Sequence, residues 1–218
     1  VESTHHAELL NRMAGVMIQR GSGQESLTAI RSPVLTGAGS CGAFLFLENG
    51  VPIRPVGFCN VNVLFEVNTE QARAIEVLRG PGSALYGSSA MHGTVNVIQP
   101  SPAERPLLGL GVDGGPSNYW RVKVAGRQDW GDTSLGVAGL YANDGGWRAV
   151  SGFHETKANA ALTSRWDTTP VRFDLAVTSL DQQTAGFITG KDAYESLKVS
   201  RSNPTPGAFR DASAVRLT

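Results

Sequence analysis

From Tyr119 onward the chain alternates in steps of two. Trp120, Val122, Val124 and Gly126 fall on one side of an extended backbone, and Tyr119, Arg121, Lys123 and Arg127 on the other. The pattern recurs from Thr156 to Thr168, where Ala158, Ala160, Leu162 and Trp166 oppose Lys157, Asn159, Thr163, Arg165 and Asp167. It recurs again from Val171 to Asp181, where Val171, Phe173, Leu175 and Val177 oppose Arg172, Asp174 and Thr178. With Leu107–Val112, Thr133–Ala142 and a beginning at Ala212–Leu217, the second half holds about six strands, the full ones of about ten residues. One apolar and one charged side per strand suits a transmembrane β-barrel with a wet lumen, and equally a soluble sandwich whose apolar side is the core; a single strand does not separate them. The joins favour the barrel. Asp129–Asp132 and Asp167–Pro170 are tight, whereas 143–154 and 182–211 are long and rich in Gly, Ser or Pro, so short and long ends alternate; the first join, 114–118, is short where a long one is expected. Trp120, Trp130, Tyr141 and Trp166 lie near strand ends, where an aromatic girdle belongs.

The first half is patterned differently. Leu9, Leu10 and Met13 share one face of a short helix that Gly15 ends, and strands follow at Val16–Gln19 and Leu27–Arg31. Ala43–Glu48 is apolar on both faces, which predicts a fully buried strand, and Asn49-Gly50 turns it back into Val51-Pro52-Ile53. Ile75 with Val77, and Val95 with Val97, mark two half-buried strands. Between them, Gly80-Pro81-Gly82 breaks the first sharply, Ser83 is placed to cap one helical turn through Tyr86, and Gly87 stops it. Small residues from Gly87 to Gly93 let the backbone pass close to another element. The stretch 101–106 is read as a linker, dividing 1–100 from 107–218.

Composition narrows the function. The 218 residues are 41% hydrophobic without a run of about 18 apolar positions, so no helix spans a membrane. A net charge of +0 gives no basic footprint for nucleic acid. The 26 glycines and 11 prolines punctuate short segments, as in an all-β chain. No secretory leader is visible before the first element, so either one was removed or the sequence is an internal fragment, and the fragment is the favoured reading. His5-His6 and His154 lack the second histidine of a zinc helix and are expected at the surface. Gly80, Gly82 and Leu85 miss the dinucleotide fingerprint, and no Ser-His-Asp or paired-carboxylate arrangement is visible. Catalytic residues, metal ligands and cofactors are therefore all assigned as none.

The run Arg79-Gly80-Pro81-Gly82-Ser83-Ala84-Leu85-Tyr86-Gly87, with a Gly-rich turn and a Val95-Asn96-Val97-Ile98 strand after it, resembles the plug signature of TonB-dependent outer-membrane receptors. Its defining positions are Arg79, Gly80, Pro81, Ser83, Leu85, Tyr86 and Gly87. The paired strands near Val16 and Ile30 and the Asn49-Gly50 hairpin match that family too, the turn here reading Glu48-Asn49-Gly50 in place of the usual Asp-Gly. The resemblance implies an α+β plug domain followed by antiparallel strands of a transmembrane β-barrel, an incomplete part of a 22-stranded one. It implies a gated importer in the outer membrane of a Gram-negative bacterium, in contact with outer-membrane lipid. Its partners would be a small-molecule or metal-chelate ligand (iron-siderophore, haem, cobalamin or similar) and TonB with ExbB and ExbD, engaged through an N-terminal box outside this sequence.

By family position, ligand-facing residues lie on the plug loops 36–42 and 55–60 and their flanks: Thr36, Ser40, Arg54, Phe58 and Asn60. The long loops 143–154 and 182–211 would form the outer lid. Arg31, Glu76 and Arg79 read as charges that hold the plug in the barrel, or equally as solvated strand ends. Cys41 and Cys59 bracket the hairpin; outside the cytoplasm an even pair favours a disulfide, contributing ~3 kcal/mol, while two sulfurs alone are few for a thiolate metal site. The competing reading is a secreted β-rich adhesion or carbohydrate-binding domain.

Overall fold

The computed structural model describes residues 3–33, 43–55 and 62–218, which fall into two compact units, Val1–Glu104 (with Thr218) and Arg105–Leu217.

In the first unit, α1 (His6–Leu10) leads into β1 (Val16–Arg20) and β2 (Ser26–Ile30), an antiparallel pair in register from Val16↔Ile30 to Arg20↔Ser26. The helix ends at Leu10, short of Met13, because Asn11 turns its side chain away to β1: its Nδ2 donates to the Ile18 carbonyl at 3.1 Å and its Oδ1 accepts the Ile18 N–H at 2.6 Å. A second sheet has the order β4-β3-β6-β5, built from β3 (Phe44–Glu48), β4 (Val51–Pro52), β5 (Ala74–Arg79) and β6 (Gly93–Ile98). Here β3 runs parallel to β6, and β6 antiparallel to β5 with Ile75↔Val97 and Val77↔Val95 opposed. Asn49 and Gly50 stand at φ 52° and 81°, as a two-residue hairpin turn requires.

The two-sided apolarity of β3 is used on both sides. Phe44 and Phe46 join Leu10, Ile18, Ile30, Leu64, Val67, Val95 and Val97 in the larger core, while Leu45 and Leu47 pack with Ala90 and Tyr86 opposite. Full burial of such side chains stabilises by about 1.5–3 kcal/mol each.

Two expectations are corrected here. His5 and His6 are not at the surface; both rings are fully buried, their centroids 4.0 Å apart. His5 caps α1, its Nδ1 accepting the Ala7 N–H at 3.0 Å, and His6 Nε2 lies 2.7 Å from Ser26 Oγ on β2. Helical periodicity scores neither as apolar, and the partner of His6 is twenty positions away. Ser83 is the first residue of its helical turn, α2 (Ser83–Tyr86), and not its cap; Gly82 holds that place and no side chain caps the turn.

The second unit is a six-stranded antiparallel meander: β7 (Leu108–Gly115), β8 (Tyr119–Trp130), β9 (Thr133–Asp144), β10 (Phe153–Trp166), β11 (Thr169–Gln183) and β12 (Phe209–Leu217). The strands run longer than their alternation suggested, β11 reaching fifteen residues. The join 184–208 contains a short helix, α3 (Leu197–Ser200), that the sequence pattern did not announce.

Candidate functional site

The wall of the second unit has its polarity inverted. Along β10, Phe153, Glu155, Lys157, Asn159 and Ala161 are buried, while Thr156, Ala158 and Leu162 on the alternate side are exposed. On β11, Ala176, Thr178, Leu180 and Gln182 are buried and Phe173, Leu175 and Val177 exposed. At the start of the wall Leu108, Leu110 and Val112 expose 84%, 74% and 71% of their surface. Strand register places Leu110, Val124, Ala158, Val177 and Val215 on one outward cross-strand row. A water-soluble sheet would hide this row and expose the lysines. Here Glu155 and Lys157 are each 1% exposed, which an isolated charge does not tolerate.

Several inward charges are paired. Arg121 Nε donates to Asp113 Oδ2 at 2.9 Å, with Lys123 Nζ 3.5 Å from the same oxygen. Lys157 Nζ lies 3.2 Å from Glu155 Oε1, and Arg172 grips Asp174 through two bonds of 2.7 Å. The pairs sit two residues apart on one strand, directly across two (Asp113 and Arg121) or diagonally across them (Asp113 and Lys123), so the same face carries both signs. The sequence showed a charged face, but not which members pair, because pairing across β7 and β8 depends on register.

One end of this wall carries the turns 131–132 and 167–168, and the other carries 116–118, 145–152 and 184–208. The three connections at the second end are bonded to one another. The Gly145 N–H donates to the Ser117 carbonyl at 2.8 Å, and the Asn143 side chain to that of Asn118 at 2.7 Å. Arg148 donates from Nε (3.0 Å) and Nη2 (2.8 Å) to the Ser202 carbonyl, and from Nη2 to that of Gly186 at 2.7 Å. Sequence reasoning passed over Arg148, whose only local signal is the Gly145-Gly146 pair before it. Below this end, on the outward face, Trp120, Tyr141 and His154 form a small aromatic group, with His154 Nδ1 3.3 Å from Tyr141 Oη.

In the first unit, the signature turns as its residues dictate. Gly80 is at φ 126° and Gly87 at φ 82°. A Cβ on Gly93 would lie 2.7 Å from Ile30 Cδ1 and 2.8 Å from the Leu78 carbonyl oxygen, which is the close passage that the small residues allow. Tyr86 packs on Leu45 and Leu47, whereas Leu85 is 83% exposed. Ser83 is exposed at the start of α2, and Pro81 precedes it in the open turn.

Of the charges read as holding the plug, Arg79 donates to the Ala14 carbonyl at 2.8 Å and Glu76 accepts from Asn96 Nδ2 at 3.3 Å. Arg31, at φ 50°, lays its stem over Gly15. Of the ligand-facing candidates only Arg54 is described; it is ion-paired to the buried Glu66. Thr36, Ser40, Phe58 and Asn60 lie outside the described residues, as do Cys41 and Cys59. Below β6, Glu104 closes a clasp on Ser101 and Arg73; the Ser101 N–H first, then the Arg73 guanidinium, hold its carboxyl down to about 2. Among the described residues no group of three or more His, Cys, Asp and Glu could hold a metal ion.

Residues 2–94 match the TonB-dependent Receptor Plug Domain. Among solved structures, the chain is similar to the ferric citrate transporter FecA in its unliganded form (18% identity, TM-score 0.68, 91% of this chain and 31% of that one). It is similar also to the ferric yersiniabactin uptake receptor FyuA from Yersinia pestis (21%, 0.64, 97% and 34%) and to the copper transporter OprC (17%, 0.65, 84% and 29%). At these identities the likeness is one of fold. The chain spans about a third or less of the length of each.

Proposed function

With a TonB-dependent receptor plug followed by antiparallel barrel strands as the premise, we propose that the protein is an outer-membrane transporter that binds a scarce extracellular small molecule or metal chelate. It would import that ligand by movement of the plug, energised through TonB. The carrying observation is the inverted wall: an apolar outward face over β7–β12 with paired charges inward is arranged for lipid on one side and a wet lumen on the other. In this reading the tight-turn end is periplasmic and the bonded loops are extracellular. Arg31, Glu76 and Arg79 keep a proposed role in holding the plug until it is pulled. Cys41 and Cys59 are proposed to form a disulfide.

The neighbours whose names mention ferric citrate, ferric yersiniabactin and copper make iron chelates the first cargo to try. No catalysis is invoked, since transport needs only binding and displacement. A secreted adhesion domain fits less well, because it would have to leave Leu108, Leu110 and Val112 in water.

The test is fractionation of the full-length protein, together with uptake of labelled ferric siderophore and cobalamin in cells with and without TonB. Outer-membrane location with TonB-dependent uptake is the expected result. A soluble product indifferent to TonB would overturn the proposal.

A further inference from the structure

Arg148 lies in the short join 145–152, yet all three of its bonds to neighbouring segments go to the long join 184–208. They reach both limbs of that join, Gly186 on the way out of β11 and Ser202 on the way back to β12. The surrounding contacts run the same way. The Ala149 N–H donates to the Arg201 carbonyl at 2.8 Å, Asn203 Nδ2 to the Val150 carbonyl at 2.8 Å, and the Arg201 guanidinium stands 5.6 Å from the centre of the Trp147 ring. At the base, the Gln183 N–H donates to the Gly152 carbonyl at 2.9 Å.

Two backbone features show that the short join is itself tightly constrained. Val150, β-branched, stands at φ 47°, where such residues are rarely found, and its carbonyl is one of the bonded groups. Gly145 and Gly152 have no room for a side chain, since a Cβ on either would come within 2.6 Å of a carbonyl oxygen, of Ser117 and Asp144 respectively.

We propose that the joins 145–152 and 184–208 are one mechanical unit pinned by Arg148, so that the long join is ordered only while the short one holds both its limbs. A planar guanidinium suits the task, because Nη2 bridges the two limbs while Nε, held in the same fixed fork, adds a second bond to the Ser202 carbonyl. The long join meanwhile displays Phe187 (96% exposed), Tyr194 and Leu197 outward, so the pin also sets how those side chains are presented. If the protein is the transporter proposed above, which gives these loops their extracellular side, ligand would meet them as one lid rather than as two independent flaps.

Hydrogen exchange on the full-length protein in detergent or outer-membrane vesicles tests this without any ligand. Arg148→Ala should speed amide exchange across 184–208 by about tenfold or more, as expected for loss of charge-assisted bonds, while β10 and β11 keep wild-type protection. Arg148→Lys should loosen the same peptides, since it retains the charge and not the fork. Unchanged exchange in 184–208 on Arg148→Ala, or full protection in Arg148→Lys, would overturn the pin. Should the variants not assemble, the wild type decides: under rising urea both joins should lose protection at one midpoint, and separate midpoints would overturn the coupling. Because no arm uses ligand or TonB, failure here leaves the transport reading standing, and failure of uptake leaves the pin standing.

Discussion

A lysine at Val177 would test the inverted wall most directly. Val177 is outward on β11, flanked by Ala158 on β10 and Val215 on β12. Asp181, on the same face four residues along, belongs to the polar rim beside His154 and Asp211. Four residues of strand cover about 13 Å, and a tilt of about 40° reduces this to a depth of roughly 10 Å beneath the rim. In an apolar band about 25 Å tall, that places Val177 near the midplane, where a lysine costs about 2–4 kcal/mol, against about 0–1 near the interface. If the surface met water, Val177→Lys at a partly exposed site would change stability by no more than about 0.5 kcal/mol. The assay is urea unfolding of the full-length protein folded into phospholipid vesicles, comparing Val177→Lys with Asp181→Lys. Equal midpoints for the two variants would refute the lipid-facing assignment.

Three further outcomes are expected. Gly93→Ala puts a methyl against the Leu78 carbonyl and Ile30, and should destabilise the first unit by about 1–3 kcal/mol in thermal unfolding; an unchanged midpoint would mean that the close passage is not there. The carboxyl of Glu104, held at about 2 against an ordinary 4.5, ties its clasp to pH: the clasp contributes fully above about 4.5 and is lost as pH falls toward 2. Carboxyl titration by NMR should show Arg73→Ala raising that midpoint, and no movement would remove Arg73 as a cause. For the proposed Cys41–Cys59 link, mass mapping of a non-reduced digest should recover the two peptides joined, and free thiols at both positions would dismiss it.

How much of this was legible beforehand depended on the range of the interaction. The Asn49-Gly50 turn, the Gly80–Gly87 corner and the strand alternation are set by residues next to one another, and the chain folds there as its local pattern indicates. The outward direction of the apolar faces was not readable from any one strand, because alternation specifies two faces and not which of them meets the solvent. Burial of His5 and His6 escaped for a related reason: one ring nitrogen of each is bonded out of sight of any periodicity, His5 Nδ1 to an amide two residues on and His6 Nε2 to Ser26 on another strand. The Arg148 pin spans 54 residues to Ser202, and no periodicity reports a contact of that kind. Pairings such as Lys157 with Glu155 were half visible, since spacing put them on one face while burial made the pairing obligatory.

The separateness of β1 and β2 from the four-stranded sheet has a mechanical meaning. A force applied at Ser3 and directed away from the unit reaches α1 first, then loads the hairpin at its open end, where Val16 meets Ile30. Its five register pairs would open in succession, as a zipper does, while the parallel β3–β6 pair stays unloaded. Peeling the hairpin withdraws Ile18 and Ile30 from the larger core and uncovers Gly93. A single-molecule pull from that end should therefore show a weak early yield ahead of the main rupture; one undivided rupture would contradict it. A unit built this way would release residues 3–30 under a modest tug before its four-stranded sheet is stressed.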